Sequence, residues 1–345
     1  MNMMKKTATF AWVLAAPLAI APSSQAQPIF PNKSVRIVVP FAPGGSSDST
    51  ARVIAEHLTA KWKQPVIIDN KPGAGASIGS ALVAKSPADG HTLLLTTVSI
   101  GTITLFQKNP GFDPLKDLLP VSQVAQGDYV LLVNKNFPAN SMAEFGSYTR
   151  KNPTKVFHGA FGGGAVLAFE QLAEKLNFKA QNVSYRGESP AITALISEEV
   201  QAVLSTLSAA RPFIDSGRVK ALGIPAKNRS LIAPDIKTSD ESGAKGFYVD
   251  FWFGLMVPVG TPEAIVKKVN ADVAEILART DVKARLYAMG LVAHPSTPEG
   301  FAKLVKYESE RWVDVAKRAG VQPQYGASRC VHSARFSHAS MAWKL

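Results

Sequence analysis

The sequence predicts an α/β fold in two halves, each with a mainly parallel sheet flanked by helices. Short β-branched runs alternate along the chain with segments of helical periodicity, and strands that alternate with helices need crossover connections. The alternation restarts at Val130, which indicates a second half. Three glycine-rich loops each lie between a predicted strand and a predicted helix.

The first half is predicted to contain three strands and two helices. Its β-branched run Val35–Val39 is typical of a buried strand, and Ala51, Ile54 and Leu58 recur at helical spacing. The predicted order is strand 35–39, helix 48–62, strand 65–69, helix to 85 and strand 92–97.

The second half repeats this alternation. Ser189-Pro190 is typical of a helix N-cap followed by proline at the first helical position. Residues 226–246 are polar and aperiodic, which predicts a surface loop. The remaining predictions are strand 130–133, a helix after 161–164, strand 200–204, helix 209–216, strand 219–224, strand 251–257, a helix from 262 and helix 298–319.

The composition is that of a globular protein. Hydrophobic residues make up 46% of the 345 residues and charged residues 19%, which excludes wholesale disorder. The formal net charge is +12, but the two acid-free termini carry five of these charges. We therefore expect attraction for small anions and no nucleic-acid partner.

The N-terminus predicts export. Lys5 and Lys6 precede an apolar run, 8–21, that is shorter than the roughly 20 residues needed to span a bilayer. The small residues at 24–26 are typical of a signal-peptidase site. We expect a signal peptide over 1–26, cleaved after Ala26, with an uncleaved membrane anchor as the alternative.

The C-terminal stretch 325–345 lacks acids and periodicity, which predicts a disordered tail. It holds the single cysteine, Cys330, so an intramolecular disulfide and a cysteine-based zinc cluster are excluded. The spacing of Cys330, His332 and His338 fits no standard metal site. We expect neither a metal nor a cofactor.

The glycine-rich loops predict an anion site. They cover 41–48, 73–79 and 161–165. Glycine allows close backbone approach, and a helix N-terminus presents unpaired N–H groups and the positive end of the helix dipole. Two such helix ends at the carboxyl edge of a parallel sheet would suit a carboxylate. The alternative is a set of ordinary tight turns.

One motif suggests an enzyme. Gly75-Ala76-Ser77-Ile78-Gly79 matches the nucleophile elbow of serine hydrolases, in which the serine directly follows a strand. Here residues 70–76 intervene, and only Asp128 with His158 or His294 could complete a triad. A secreted serine hydrolase built on Ser77 is therefore the alternative to an anion-binding loop.

Several segments together resemble the periplasmic solute receptors of tripartite tricarboxylate transporters, also called the Bordetella uptake gene family. The resemblance runs in order over residues 30–324. The matching segments are 40–48 (PFAPGGSSD), 70–75 (NKPGAG) with Gly79, 87–94 (PADGHTLL), 185–187 (YRG) with Pro190, 252–255 (WFGL), 258–262 (PVGTP) and Glu308 with Trp312.

The resemblance implies a two-lobed clamshell of the type II periplasmic-binding-protein fold. Lobe 1 would comprise 27–126 and 250–324, and lobe 2 would comprise 127–249. It also implies a monomeric, non-enzymatic receptor that captures a small carboxylate, such as a di- or tricarboxylate, amino acid or aromatic acid, and delivers it to integral membrane permease subunits. A stand-alone sensor would have the same sequence features.

The resemblance also implies the ligand contacts. The lobe 1 contacts would be Phe41, Gly44, Gly45, Ser46, Asp48, Gly75 and Ser77. The lobe 2 contacts would be Gly163, Gly164, Ala165, Tyr185 and Arg186. An arginine such as Arg186 could neutralise a second ligand carboxylate.

Lobe 2 departs from the family pattern at three places. Ala165 stands where the family usually has a hydroxyl side chain. Glu198-Glu199 replaces a Gly-Gly turn, and Ser205 and Thr206 stand where an acid or amide usually points at the cleft. We therefore expect the distal end of the ligand to be recognised differently.

Overall fold

The structure is a computed structural model that describes Met1, residues 30–179 and residues 181–322. Apart from Met1, the predicted signal peptide 1–26 lies outside the described residues, as do its cleavage site and the predicted tail 325–345.

The described residues form ten strands and ten helices. The strands are β1 (Val35–Val39), β2 (Val66–Asn70), β3 (Thr92–Thr97), β4 (Leu118–Asn134), β5 (His158–Ala160), β6 (Asn182–Ser184), β7 (Ala202–Thr206), β8 (Val219–Gly223), β9 (Asp250–Pro258) and β10 (Leu291–Ala293). The helices are α1 (Ser46–Trp62), α2 (Ser77–Ala84), α3 (Ile103–Phe106), α4 (Met142–Lys151), α5 (Gly162–Leu176), α6 (Glu188–Ile196), α7 (Leu207–Asp215), α8 (Glu263–Ala278), α9 (Thr280–Ala288) and α10 (Pro298–Arg318). Among them no helix is long and apolar enough to cross a membrane.

The long strand β4 joins two sheets. In the first sheet the strand order is β2-β1-β3-β9-β4, and β10 also pairs with β4. Residues Leu118 to Asp128 of β4 face β9, whereas Tyr129 to Val133 face β7. The second sheet continues from β7 to β5 and β6, and β8 also pairs with β4.

These two sheets are the cores of two lobes. We call the first sheet with α1–α3 and α8–α10 lobe 1, and the second sheet with α4–α7 lobe 2. Within each lobe the sheet is mixed: β1, β2 and β3 are parallel, as are β5, β6 and β7, whereas β4 and β9 are antiparallel to their neighbours. The predicted boundaries at 126/127 and 249/250 stay a prediction.

Most elements follow the sequence pattern. The predicted strands Val35–Val39 and Thr92–Thr97 are confirmed with the same bounds. Strand β3 is buried along its whole length because it lies between β1 and β9, which explains its lack of polar alternation. Helix α1 begins two residues earlier than predicted, at Ser46.

Several elements are absent from the predicted order, among them α3, α4, β6, the first part of β4, α9 and β10. The first part of β4 contains Pro120, and the β4–β9 register shifts between Pro120 and Ser122, so the proline lies at an irregularity that tolerates its missing N–H. Helix α9 and the three-residue strand β10 are too short to show a clear hydrophobic period.

Residues 226–246 form no helix or strand, as predicted, but Ala233 and Ala244 are fully buried.

The predicted cap of α6 is wrong. The helix begins at Glu188, and its N-cap is Gly187 rather than Ser189. A Cβ on Gly187 would lie 2.9 Å from the backbone N of Ala42, so this close approach between lobes requires glycine at the turn. The earlier start places Glu188 in the first helical turn.

Candidate functional site

The glycine-rich loops meet between the two lobes. A Cβ placed on Gly75 would lie 3.8 Å from the backbone N of Gly163, so the second and third loops are neighbours. The first loop contacts the turn before α6, where the Ala42 N–H donates to the Arg186 carbonyl over 3.1 Å. The cleft between the lobes is therefore closed in this structure.

The first loop is held in shape by its own acid. Gly44 has φ +82°, and its N–H donates to Asp48 over 3.1 Å. Arg52 donates two hydrogen bonds to the same carboxylate, at 2.9 and 3.1 Å. Burial raises the pKa of Asp48, but the hydrogen bonds from Arg52 and Gly44 outweigh it, so the pKa lies below its ordinary value. The ligand contacts predicted for Gly44 and Asp48 stay a prediction.

A buried carboxylate from lobe 2 sits at the N-terminus of α1. Glu188 is only 4% exposed. One of its oxygens accepts from the N–H (3.2 Å) and the hydroxyl (2.5 Å) of Ser46 in lobe 1. The other accepts from the Ser205 hydroxyl (2.8 Å) and the Thr206 N–H (2.6 Å) in lobe 2. Glu188 therefore bridges the two lobes.

Beside Glu188 lies a cavity of about 10 Å³, which is roughly the room that one water molecule needs. It is lined by Phe41, Gly45, Ser46, Ser47, Thr97, Ser99, Tyr129, Phe161, Glu188 and Phe251. Four of these side chains are aromatic and four are small hydroxyl residues. The only charged side chain in the lining is that of Glu188. In this closed form the cleft is nearly filled by its own side chains, so a small organic ligand with one polar end needs the lobes to separate before it can enter.

The hydroxyl side chains of the cavity lining come from the segments that directly follow two lobe 1 strands, β1 and β3. Ser46 and Ser47 open α1 after β1, and the first N–H groups of a helix have no intrahelical acceptor. Thr97 ends β3, and its side chain accepts from the Ser99 N–H over 3.2 Å. This wall therefore offers hydrogen-bond donors to an anion.

Two of the aromatic lining residues lie on β4 and β9, the strands that join the lobes. The rings of Tyr129 on β4 and Phe251 on β9 meet edge to face, with centroids 4.9 Å apart. Burial first, and then the carboxylates of Glu188 and Glu308, raise the pKa of Tyr129 well above its ordinary value. Its hydroxyl is therefore protonated at neutral pH.

The second glycine-rich loop lies outside the cavity lining. Gly75 has φ +60°, a left-handed conformation that favours glycine. Ser77 begins α2 and is buried. Neither residue lines the central cavity, and their predicted ligand contacts stay a prediction.

The third loop packs against the residues that follow β3. A Cβ on Gly163 would lie 2.4 Å from the Thr102 hydroxyl, and one on Gly164 would lie 2.6 Å from a Val98 methyl. Ala165 is fully buried in the apolar cluster of lobe 2. These three residues position α5, whereas the lining residue from this loop is Phe161.

The remaining lobe 2 candidates, Tyr185 and Arg186, do not line the cavity. The Tyr185 hydroxyl donates to Glu199 over 2.8 Å, and burial together with this acid raises the pKa of Tyr185 to about 12. Arg186 is exposed, and its carbonyl, not its guanidinium, contacts lobe 1. The roles predicted for both side chains stay a prediction.

Of the predicted contacts, Phe41, Gly45 and Ser46 lie in the cavity lining. Sequence reasoning missed the other lining residues: Ser47, Thr97, Ser99, Tyr129, Phe161, Glu188 and Phe251. The position of Thr97 and Ser99 at the carboxyl end of a parallel strand was an available signal. Glu188 was visible as the one acid in the turn after Arg186.

The fold and the cleft define the class of the protein. Two α/β lobes joined by β4 and β9, with a small cavity between them, are the architecture of a clamshell binding protein. The structure of the periplasmic binding protein BugD superposes with a TM-score of 0.81, at 32% identity over 86% of this chain and all of that one. This confirms the predicted fold class.

The chain belongs to the receptor family of tripartite tricarboxylate transporters. Residues 50–321 match the family described as "Tripartite tricarboxylate transporter family receptor". The protein BugT of Bordetella pertussis is 31% identical over 93% of this chain and 99% of its own length. MatC of Rhodopseudomonas palustris with bound malate has a TM-score of 0.79, at 35% identity over 83% of this chain and 100% of that one. An R. palustris protein with adipate has a TM-score of 0.82, at 32% identity over 86% of this chain and 100% of that one.

Proposed function

We propose that the chain is a periplasmic receptor that captures a small carboxylate and delivers it to the membrane permease subunits of a tripartite tricarboxylate transporter. The observation that carries this proposal is the Glu188 carboxylate, which accepts hydrogen bonds from both lobes at the α1 N-terminus. The cleft therefore already contains hydrogen-bond donors, from both lobes, that together bind one carboxylate.

The donors beside Glu188 extend the same chemistry to a ligand. The Ser47 N–H belongs to the first turn of α1, and the hydroxyls of Thr97 and Ser99 line the same cavity. A ligand carboxylate placed here lies at the positive end of a 17-residue helix. The aromatic walls contact the rest of the ligand once the lobes have separated to admit it.

The relatives support a carboxylate as the ligand. The similar R. palustris structures hold malate and adipate. Both molecules are small organic acids, which supports a small carboxylate as the ligand of this chain. The chain is expected to act as a monomer, because each copy contains both halves of the cleft.

The same geometry favours a receptor over the serine hydrolase alternative. Ser77 is separated from β2 by six residues, the last three of which form a 3-10 turn. The ring nitrogens of His158 are bonded to Asn182 (2.7 Å) and to the Leu204 N–H (3.2 Å), so this histidine is not oriented toward Ser77. Asp128 accepts from Ser230 instead of a histidine.

Thermal-shift measurements with a panel of carboxylic acids and their methyl esters test the proposal. A ligand at 100 times its dissociation constant adds about 2.7 kcal/mol of stability, a shift of several degrees for a chain of this size. We expect at least one acid to stabilise the protein and its methyl ester to stabilise it far less. Equal shifts for acid and ester would contradict carboxylate recognition.

A fluorophosphonate probe tests the hydrolase alternative in the same preparation. We expect no covalent adduct at Ser77 and no ester turnover, because no described histidine is hydrogen-bonded to Ser77. Stoichiometric labelling at Ser77 would favour the hydrolase.

A further inference from the structure

The Glu188 carboxylate occupies the donors that a second ligand carboxylate would need. Four donors point at it, two at each oxygen: the N–H and hydroxyl of Ser46, the hydroxyl of Ser205 and the N–H of Thr206. A carboxylate has about four lone-pair positions, so these donors fill them. Glu188 therefore has no acceptor position left for an ammonium group of the ligand.

The cavity lining has hydrogen-bond donors for one ligand carboxylate, at Ser47, Thr97 and Ser99, but no counter-charge for a second one. Glu188 is the only charged residue in the lining, so no cation is available there to neutralise a second ligand carboxylate. A second ligand carboxylate would therefore lose its water without gaining a donor or a cation. By contrast, the rings of Phe41, Phe161 and Phe251 provide apolar walls.

We propose that Glu188 is a specificity-determining residue that stands in for one end of a dicarboxylate. This inference rests on the proposed function. The preferred ligand is a monocarboxylate with an apolar or aromatic body. The cleft widens to admit this ligand, whose single carboxylate then binds at the Ser47 end of α1, beside Thr97 and Ser99, and whose body packs on the aromatic walls. Ligands with a carboxylate at both ends are disfavoured because Glu188 already holds the second position.

Calorimetric titration with matched acids tests the inference. Hexanoate and adipate share a six-carbon chain and differ by one carboxylate, and benzoate and terephthalate form a second pair. The proteins are the wild type, Glu188→Ser, Glu188→Gln and the control Glu310→Ser. Glu310 is exposed on α10, so its substitution removes one negative charge without touching the cleft. Melting temperatures establish that each variant is folded.

In the wild type we expect the monocarboxylate of at least one pair to bind at least tenfold more tightly than its dicarboxylate. Glu188→Ser frees both the space and the donors, so this ratio should fall at least tenfold or reverse. Glu188→Gln keeps the volume but removes the charge, so the ratio should fall by less. Glu310→Ser should keep the wild-type ratio. If Glu188→Ser does not fold, the shift in Glu188→Gln decides.

Three outcomes would overturn the inference. Dicarboxylates that bind the wild type at least as well as their partners would refute it and leave the proposed function intact. Equal tightening of both members of a pair in Glu188→Ser would mean that every ligand simply displaces Glu188. Failure of all four acids to bind the wild type and both Glu188 variants would count against the proposed carboxylate receptor itself.

Discussion

The two lobes contribute to the cavity in different ways. Lobe 1 offers a helix N-terminus and small hydroxyls, at Ser46, Ser47, Thr97 and Ser99. Lobe 2 offers one ring, Phe161, and one carboxylate, Glu188. A helix end with hydroxyls attracts any small anion, whereas a fixed carboxylate discriminates between anions. The comparison suggests that lobe 1 supplies attraction and lobe 2 supplies selection.

The lobes also differ in their buried histidines, and this difference carries the largest expected effect. His158 in lobe 2 is fully buried and stacks on Phe169 with centroids 3.9 Å apart. Burial lowers the pKa of His158 to about 4, and the hydrogen bond to Asn182 only partly opposes it. The unfolded chain therefore takes up a proton near pH 6.5, whereas the folded chain does not.

The free energy of unfolding should therefore decrease by about 3 kcal/mol as the pH falls from 6.5 to 4. This stability is fully present above pH 6.5. Urea denaturation across this range should show a smaller pH dependence in His158→Gln than in the wild type. His294→Gln, an exposed lobe 1 histidine, is the matched control and should behave like the wild type. Equal slopes in His158→Gln and the wild type would show that the buried imidazole is not the source.

The second-largest expected effect, on ligand binding, tests whether lobe 1 supplies the attraction for the ligand. A Cβ at Gly45 would lie 3.5 Å from the Cβ of Glu188, so alanine fits, but the extra methyl groups of valine press on lobe 2. Gly45→Val should weaken ligand binding by at least about 2 kcal/mol, the worth of one or two charge-assisted hydrogen bonds. Gly45→Ala should keep most of the affinity.

Calorimetry with circular dichroism checks both Gly45 variants. A folded Gly45→Val protein with unchanged affinity would mean that the ligand does not bind at the α1 N-terminus.

The smallest expected effect concerns Arg186 of lobe 2. Arg186 is exposed and contacts lobe 1 through its carbonyl. Arg186→Ala should therefore change the binding free energy by less than about 0.5 kcal/mol, as is usual for surface side chains. A tenfold loss of affinity in the same titration would mean that lobe 2 supplies a cation as well as Glu188.

The sequence was most informative where local chemistry decides the structure. Phe41, Gly45 and Ser46 were predictable because a glycine-rich turn between a β-branched run and a helical period has few conformations. Thr97 and Ser99 follow from the same rule of strand ends, once β3 is known to be parallel to β1.

The rest depends on tertiary pairing. Tyr129 and Phe251 line the cavity only because β4 pairs with β9 as far as Asp128 and with β7 from Tyr129 onward. No local sequence pattern specifies such a change of pairing partner. The sequence shows an acid at position 188. It does not show that Gly187 starts α6 early enough to point that acid across the cleft.

The joint between the lobes has a mechanical consequence. The register places Asp128 of β4 directly opposite Asp250 of β9, at the level where the sheets meet. Like charges directly opposite each other weaken a ladder, and the pKa of Asp128 is raised by burial and then by Asp250, although Ser230 partly opposes this. The β4–β9 ladder is thus weakened where the sheets meet, one residue from Tyr129 and the cavity wall. A change in the angle between the lobes at this point would therefore also reshape the binding surface.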